Sequence, residues 1–255
     1  MRALKRSTKM MGRVTLLLLG TLLLAPAGIA QEFNFDLGTG AGMTSGIVEM
    51  LGVITILSLA PSILVMTTSF VRIVVVLSLL RTAMGLQQAP PNAVIISLSL
   101  FLTAFVMAPT FEAAYKEGVE PFMAESIGLE DALPRAAAPI KTFMAKHVQD
   151  DDLALFMGMA NIETLESAEA APFQVLAPAF MISELKRAFE IGFMIFLPFL
   201  VIDLVVASIL MSMGMMMLPP VTISMPFKLI FFVLVDGWRL LAGSLVESFV
   251  AGPPG

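Results

Sequence analysis

Residues 191–220 read IGFMIFLPFLVIDLVVASILMSMGMMMLPP, and this stretch decides the fold class. From Ile191 to Met211 the chain is apolar apart from Asp203 and Ser208, for about the twenty residues an α-helix needs to cross a bilayer. The run then passes into Met211-Ser212-Met213-Gly214-Met215-Met216-Met217-Leu218-Pro219-Pro220, where a glycine hinge and two prolines stop the helix. A second apolar block, Val221 to Val250, follows at once. Two apolar helical blocks joined by a short turn make a hairpin, so the chain reads as all-α and membrane-associated.

The rest of the sequence repeats this organisation around a polar middle. Gly46 to Met66 runs almost without a break into Thr67 to Leu80; the turn Gln87-Gln88-Ala89-Pro90-Pro91-Asn92 follows, then the apolar run Ala93 to Ala108. The twin prolines must end any helix at that turn. Residues 109–183 carry twelve acids and four bases and read as short amphipathic helices in water. The resulting segments are 1–30, a leader; 31–45, a short polar stretch; 46–108, a first apolar hairpin region; 109–183, a small soluble acidic helical region; 184–250, a second apolar hairpin; and 251–255, a tail.

Composition agrees. Of 255 residues 58% are hydrophobic and 14% charged, about half the charge of an ordinary soluble domain, and the mean hydropathy of +0.91 excludes both a soluble cytosolic enzyme and a disordered chain. Without cysteine, and with His147 as the sole histidine, disulfide frameworks, thiolate metal sites and multi-histidine centres cannot be built, and no cofactor is expected. His147, among acidic neighbours, reads as a solvated loop residue. No nucleophile–base set or phosphate-cradling loop is present, so the chain does not read as an enzyme.

Arg2, Lys5, Arg6, Lys9 and Arg13 precede the apolar run Val14 to Leu24, which is too short to span, and Gly28-Ile29-Ala30 offers small residues ahead of Gln31. That order predicts a secretory signal peptide cleaved between Ala30 and Gln31, with Ala27 as second choice and an uncleaved signal anchor as the alternative. Its removal leaves ten basic residues against twenty acids, a net charge of about −10, which disfavours nucleic acid as a partner. Delivery of the new N-terminus outside, followed by paired crossings, would put the acidic middle outside too. Arg72 and Arg81 near the first turn lend that topology weak positive-inside support.

The apolar blocks are poor as simple spans. Glu49 and Pro61 interrupt the first, Arg72 the second, Pro198 and Asp203 the third, and Lys228, Asp236 and Arg239 the last. A charge at mid-bilayer costs about 2.5–3.5 kcal/mol, so these residues face protein or a water-filled path, and an oligomer or mixed assembly is the way to hide them. Ser183-Glu184-Leu185-Lys186-Arg187-Ala188-Phe189-Glu190 opens the second hairpin with spacings that permit Glu184–Arg187 and Lys186–Glu190 pairs; it is either a solvated helix start capped by Ser183 or a site of pairing between subunits. Asp203 has no base within a helical turn, and Lys228 is its intrachain candidate across the Met turn; a structural pair is preferred to a proton-relay carboxylate. Asp236 and Arg239 flank Trp238 as an interfacial anchor. The methionine run is either a greasy buried turn or a compliant ring in which Met215, Met216 and Met217 of several copies close a pore and yield to a passing chain.

Several ordered stretches together resemble one family, the FliP family of flagellar export-gate subunits and their virulence type III secretion counterparts. They are Met66-Thr67-Thr68-Ser69-Phe70-Val71-Arg72-Ile73 through Leu79-Leu80-Arg81, Gly85-Leu86-Gln87-Gln88-Ala89-Pro90-Pro91-Asn92, Ala179-Phe180-Met181-Ile182-Ser183-Glu184-Leu185-Lys186, Gly192-Phe193 through Asp203, and the Met turn through Phe232-Val233-Leu234-Val235-Asp236-Gly237-Trp238. The resemblance implies a homo-oligomer of about five copies. These would join FliQ-type and FliR-type subunits and other export-apparatus proteins around a helical pore that conducts unfolded flagellar proteins across the inner membrane. It further implies charged helix residues used between neighbouring subunits, the methionine turn as a gasket, and helices raised toward the periplasm as a cone, partly out of the lipid. The competing function is a small proton-coupled transporter using Asp203 or Glu184; an internal repeat would favour it, and the two turns do not match.

Overall fold

A computed structural model of the chain describes residues 62–162, 165, 167–215 and 217–250, together with Leu51, Ile54, Thr55 and Ser58, which are helical. The expected leader with its Ala30–Gln31 junction, the interruptions at Glu49 and Pro61, the tail and Met216 lie outside the described residues. Residues 59–255 form one compact unit.

Besides the helical residues 62–66, eight α-helices appear among the described residues of this unit, with no strand: α1 (Phe70–Ala83), α2 (Asn92–Ala114), α3 (Glu120–Met123), α4 (Leu129–His147), α5 (Asp150–Met159), α6 (Phe173–Ser212), α7 (Pro220–Leu234) and α8 (Gly237–Val250). A π-helical turn, Tyr115–Val119, joins α2 to α3. The all-α reading is therefore correct. Two helical stretches, Asn92–Met123 and Phe173–Ser212, are long and apolar enough to cross a membrane, and α7 with α8 adds a third if that bent pair is one span.

The turns follow backbone chemistry. α1 ends where Gly85 takes φ +77°, with the Gly85 amide on Thr82 O and the Leu86 amide on Arg81 O. α6 ends the same way: Gly214 has φ +76°, its amide bonds Met211 O, and the Met215 amide bonds Leu210 O. Both are Schellman closures, which satisfy orphan carbonyls and need a left-handed residue that glycine supplies without a Cβ penalty. α2 and α7 each begin directly after a proline, Pro91 and Pro219, whose missing N–H costs nothing at a helix start.

Three boundaries differ from the sequence reading. α2 continues through Pro109 to Ala114, beyond the expected end at Ala108. α6 starts at Phe173, not near Ser183, so Ser183 is not an N-cap; it lies in mid-helix, fully buried. Its hydroxyl accepts the Gln149 amide at 3.0 Å and donates to Asp152 at 2.7 Å, docking the start of α5 on α6. The block Val221–Val250 breaks at Asp236, which adopts φ +52°, and α7 and α8 meet at 64°. Aspartate is among the few residues that visit this conformation routinely, which places the break at that residue.

α1 packs most extensively on α6. The core holds Ile73, Val76, Leu77 and Leu80 of α1, Ala188 and Phe199 of α6, Phe232 of α7 and Leu241, Leu245 and Phe249 of α8. The α1 members recur at helical spacing and cover one face. Gly192 allows the close approach: a Cβ there would lie 2.3 Å from Leu79 Cδ1. A second core gathers Met144, Val148, Leu153 and Met157 of the α4–α5 region against Val175, Leu176, Ala179 and Phe180 of α6. α4 and α5 are oriented with their dipoles, with Glu130 and Asp131 in the first turn of α4, Lys146 and His147 in its last, and Asp150, Asp151 and Asp152 opening α5.

Candidate functional site

Two buried charge clusters and one exposed turn hold the residues that the sequence singles out. In the first cluster, α1 and α6 bring Arg72 and Glu184 together at the core, each almost completely buried. The Arg72 Nε–H donates to Glu184 Oε2 at 2.8 Å, and Nη2 donates to Oε1, a bidentate pair. Nη1 donates to Ser248 Oγ on α8 at 3.0 Å, and the guanidinium carbon lies 3.8 Å above the Phe249 ring. Carboxylate, hydroxyl and aromatic face together satisfy a charge that would otherwise be too costly to bury.

In the second cluster, α6, α7 and the end of α1 converge. Lys228 Nζ donates to Asp203 Oδ2 at 2.7 Å and to Ala83 O at 3.0 Å, while the Ser224 hydroxyl donates to Asp203 Oδ1. Ala83 is the last residue of α1, so the ammonium sits at the negative end of that helix and on a carbonyl without an intrahelical partner. Lys228 is buried; Asp203 keeps 27% of its side chain exposed.

The other charges lie elsewhere. Arg81 is half-buried and donates to Asn92 Oδ1 and to Pro90 O, bracing the first turn. Glu184 does not pair with Arg187, nor Lys186 with Glu190: the local spacings permit both pairs, but Glu184 has both oxygens on Arg72, and Lys186, exposed, reaches Gln149 Oε1 at 2.6 Å. Arg187 Nε is buried with no hydrogen-bond partner among the described residues. Asp236 and Arg239 form only a loose contact at 3.9 Å and are largely exposed, so they are not a buried pair in the protomer; Trp238 beside them packs edge-on against Phe232. Met215 and Met217 lie at the tip of the α6–α7 turn; Met217 is 98% exposed, so in the protomer the tip is not a buried greasy turn.

His147 overturns its sequence reading. It is buried, its Nδ1 lies 2.8 Å from Phe143 O and its Nε2 3.2 Å from Phe249 O, and its ring packs between those two phenylalanines. The signal was there in part: Phe143, Met144 and His147 share one helical face, which puts the histidine with the apolar residues and away from the acids that follow. Burial holds the imidazole below the usual histidine range, against the pull of the two carbonyls.

Much of the apolar surface stays uncovered, notably Phe101 and Phe105 on α2, and Phe193, Met194 and Leu204 on α6. Among the described residues no group of three or more His, Asp or Glu could hold a metal. A helical unit with buried ion pairs, bare apolar flanks and an exposed methionine tip leaves apolar surface for lipid or protein to cover.

The family model for FliP matches residues 53–245. The chain belongs to the FliP family. It is 64% identical over 230 residues to the flagellar biosynthetic protein FliP of Caulobacter vibrioides, covering 90% of this chain and 86% of that one. To the protein of the same name from Bacillus subtilis it is 56% identical over 205 residues, 80% of this chain and 93% of the relative. The Aquifex aeolicus protein is 48% identical over 233 residues, 90% and 98% of the two chains. The FliP match takes in α1 through most of α8, and with them the Arg72–Glu184 and Asp203–Lys228 pairs and the methionine turn, while Ser248 and Phe249 lie just beyond it.

Proposed function

We propose that the chain is a structural, non-enzymatic subunit of the flagellar type III export gate. About five copies gather with FliQ-type and FliR-type subunits around a narrow pore. The assembly sits in the inner membrane at the flagellar basal body, faces the periplasm, touches lipid and other export-apparatus proteins, and passes unfolded flagellar proteins. The observation that carries the reading is the FliP-family match over residues 53–245 in a protomer whose methionine tip projects free of its own core. Brought together in a ring, Met215, Met216 and Met217 line the narrowest part: unbranched thioethers meet from several directions without fixed register, exclude water, part for a chain and close behind it.

Against the transporter alternative stand the roles of its two carboxylates. Glu184 has both oxygens on a buried guanidinium, and Asp203 is shared between Lys228 and Ser224, so both act as structural anions. The test replaces the three methionines with alanine in the co-expressed complex. Native mass spectrometry should find the assembly intact, while ion leak through the overproduced gate rises several-fold. Unchanged leak in an intact complex would make the methionines a turn without a sealing role.

A further inference from the structure

The hairpin of α6 and α7 carries two apolar features that neither charge cluster uses. The first is a groove of about 400 Å³ between the two helices, in which every lining side chain is apolar. Six residues of α6, from Val201 to Leu210, form one wall, and Ile223 and Phe227 of α7 form the other. Five of those six are valine or isoleucine, whose branched Cβ makes the wall stiff at χ1. The second feature is a ridge on α6 made by Phe193, Leu197, Leu200, Leu204 and Met211, each between 44% and 66% exposed. They recur at steps of four, three, four and seven residues, the spacing of a seam that packs on another helix, with a dip at Ala207 and Ser208. None of the five is β-branched. At about 100° per residue the ridge lies about 160° around the α6 axis from the middle of the groove wall. One hairpin therefore shows a row of knobs on one flank and a slot on the other.

The size of the slot decides what enters it. From Val201 to Leu210 α6 rises about 14 Å, which gives the groove a mean cross-section of about 30 Å², against about 80 Å² or more for a helix with its side chains. A whole helix is too wide; a single row of side chains fits. α6 itself presents such a row. Both features also end at the methionine turn, the groove at Leu210 and Ile223 and the ridge at Met211, so seating one in the other sets two methionine tips side by side. Lipid would cover either flank without any sorting of Leu, Phe and Met to one side and Val and Ile to the other, because it offers all of them the same contact.

We propose that the α6–α7 groove is the seat of a second copy of this chain: the Phe193–Met211 ridge of one protomer lies in the groove of the next.

This contact rests on the ring proposed above and gives it a direction. Ridge and groove lie on different faces, so the contact is head-to-tail: a copy that gives its ridge keeps its own groove open for a third. Pairing of one patch with itself would stop at two copies. Adaptable side chains between stiff walls supply the van der Waals fit on which helix association depends where lipid removes the hydrophobic gain.

The chain has no cysteine, so engineered pairs report without background. Leu204→Cys in a copy with one affinity tag is co-expressed with Val205→Cys in a copy with another, together with the FliQ-type and FliR-type subunits. Val201→Cys and Ile209→Cys probe the groove one turn to either side. All four positions are exposed, which leaves the protomer core untouched. After oxidation, dimers carrying both tags are quantified, and native mass spectrometry of the same complex counts its copies. Disulfides need Cβ atoms within about 4.5 Å, so the ridge–groove mixture should crosslink several-fold more than either variant alone at one or more of the three groove positions. It should exceed by as much a mixture of Val205→Cys with Phe101→Cys, an equally bare position on α2. Crosslinking of Leu204→Cys with itself at the same level would overturn the head-to-tail contact. Absence of ridge–groove crosslinks at all three positions, in a complex that holds several copies, would assign the groove to lipid or another subunit and leave the ring standing. A single copy per complex would overturn both.

Discussion

Truncating Glu184 to alanine perturbs the most heavily buried interaction in the protomer. Arg72 would keep Ser248 Oγ and the Phe249 ring but lose two charge-assisted hydrogen bonds, and its charge would remain in a core from which water is excluded. Breaking a buried pair from one side typically costs about 3–5 kcal/mol, chiefly as the penalty of the charge left behind. Arg72→Ala should cost at least as much, because Glu184 has no other donor among the described residues and α8 also loses its tie to α1. Replacing both at once, Arg72→Met with Glu184→Leu, removes both charges while roughly filling the space, and should lie within about 2 kcal/mol of the parent. Urea unfolding in mild detergent reports on this through Trp238, the sole tryptophan, which packs on Phe232 at the edge of the same core. The loss in the double variant should therefore fall short of the summed single losses by at least about 4 kcal/mol. A cost below about 1 kcal/mol for Glu184→Ala, or a double variant whose loss equals the sum of the single losses, would refute the reasoning.

Other outcomes are as definite. Asp203→Ala leaves Lys228 with only Ala83 O and should weaken assembly and export; an Asp203→Asn protein that assembles and exports normally would exclude an ionic role. Gly214→Val should cost about 1–2 kcal/mol in the same unfolding assay, since a β-branched residue must take φ +76° although nothing lies within 4 Å of its Cβ. Intact-mass measurement should find a mature chain beginning at Gln31, and retention of residues 1–30 would make the first apolar block a signal anchor.

Much of the helical order could be read from residues 66–108 and 184–250, because apolar runs broken by Pro90-Pro91, Gly214 and Pro219-Pro220 admit few alternatives. What could not be read was set by tertiary contact. Ser183, a good N-cap by local preference, became a mid-helix docking point because Gln149 and Asp152 meet it from α5. The local pair of Glu184 with Arg187 lost to Arg72, 112 residues away, as buried bidentate geometry outweighs a pair on one helix face, and Lys186 bonds Gln149, 37 residues away, in place of Glu190. Asp203 and Lys228 could be matched in advance because a hairpin leaves each few other choices. The Arg72–Glu184 match required knowing that α1 packs on α6, and the burial of His147 required knowing where α8 ends.

Arg72, Glu184 and Lys228 are buried while Phe101, Phe105, Phe193 and Met194 are not, the reverse of a water-soluble domain. In an apolar surrounding, contact between leucines and valines discriminates little between one helix face and another, because lipid offers the same contact. A charge turned outward discriminates strongly, at about 2.5–3.5 kcal/mol. Each pair therefore selects a rotation. Arg72 on Glu184 sets the face that α1 presents to α6, and through Ser248 the seat of α8; Lys228, reaching both Asp203 and Ala83 O, sets α7 against α6 and against the end of α1. With those rotations fixed, the apolar flanks and the methionine tip have defined directions, as the proposed ring of copies requires.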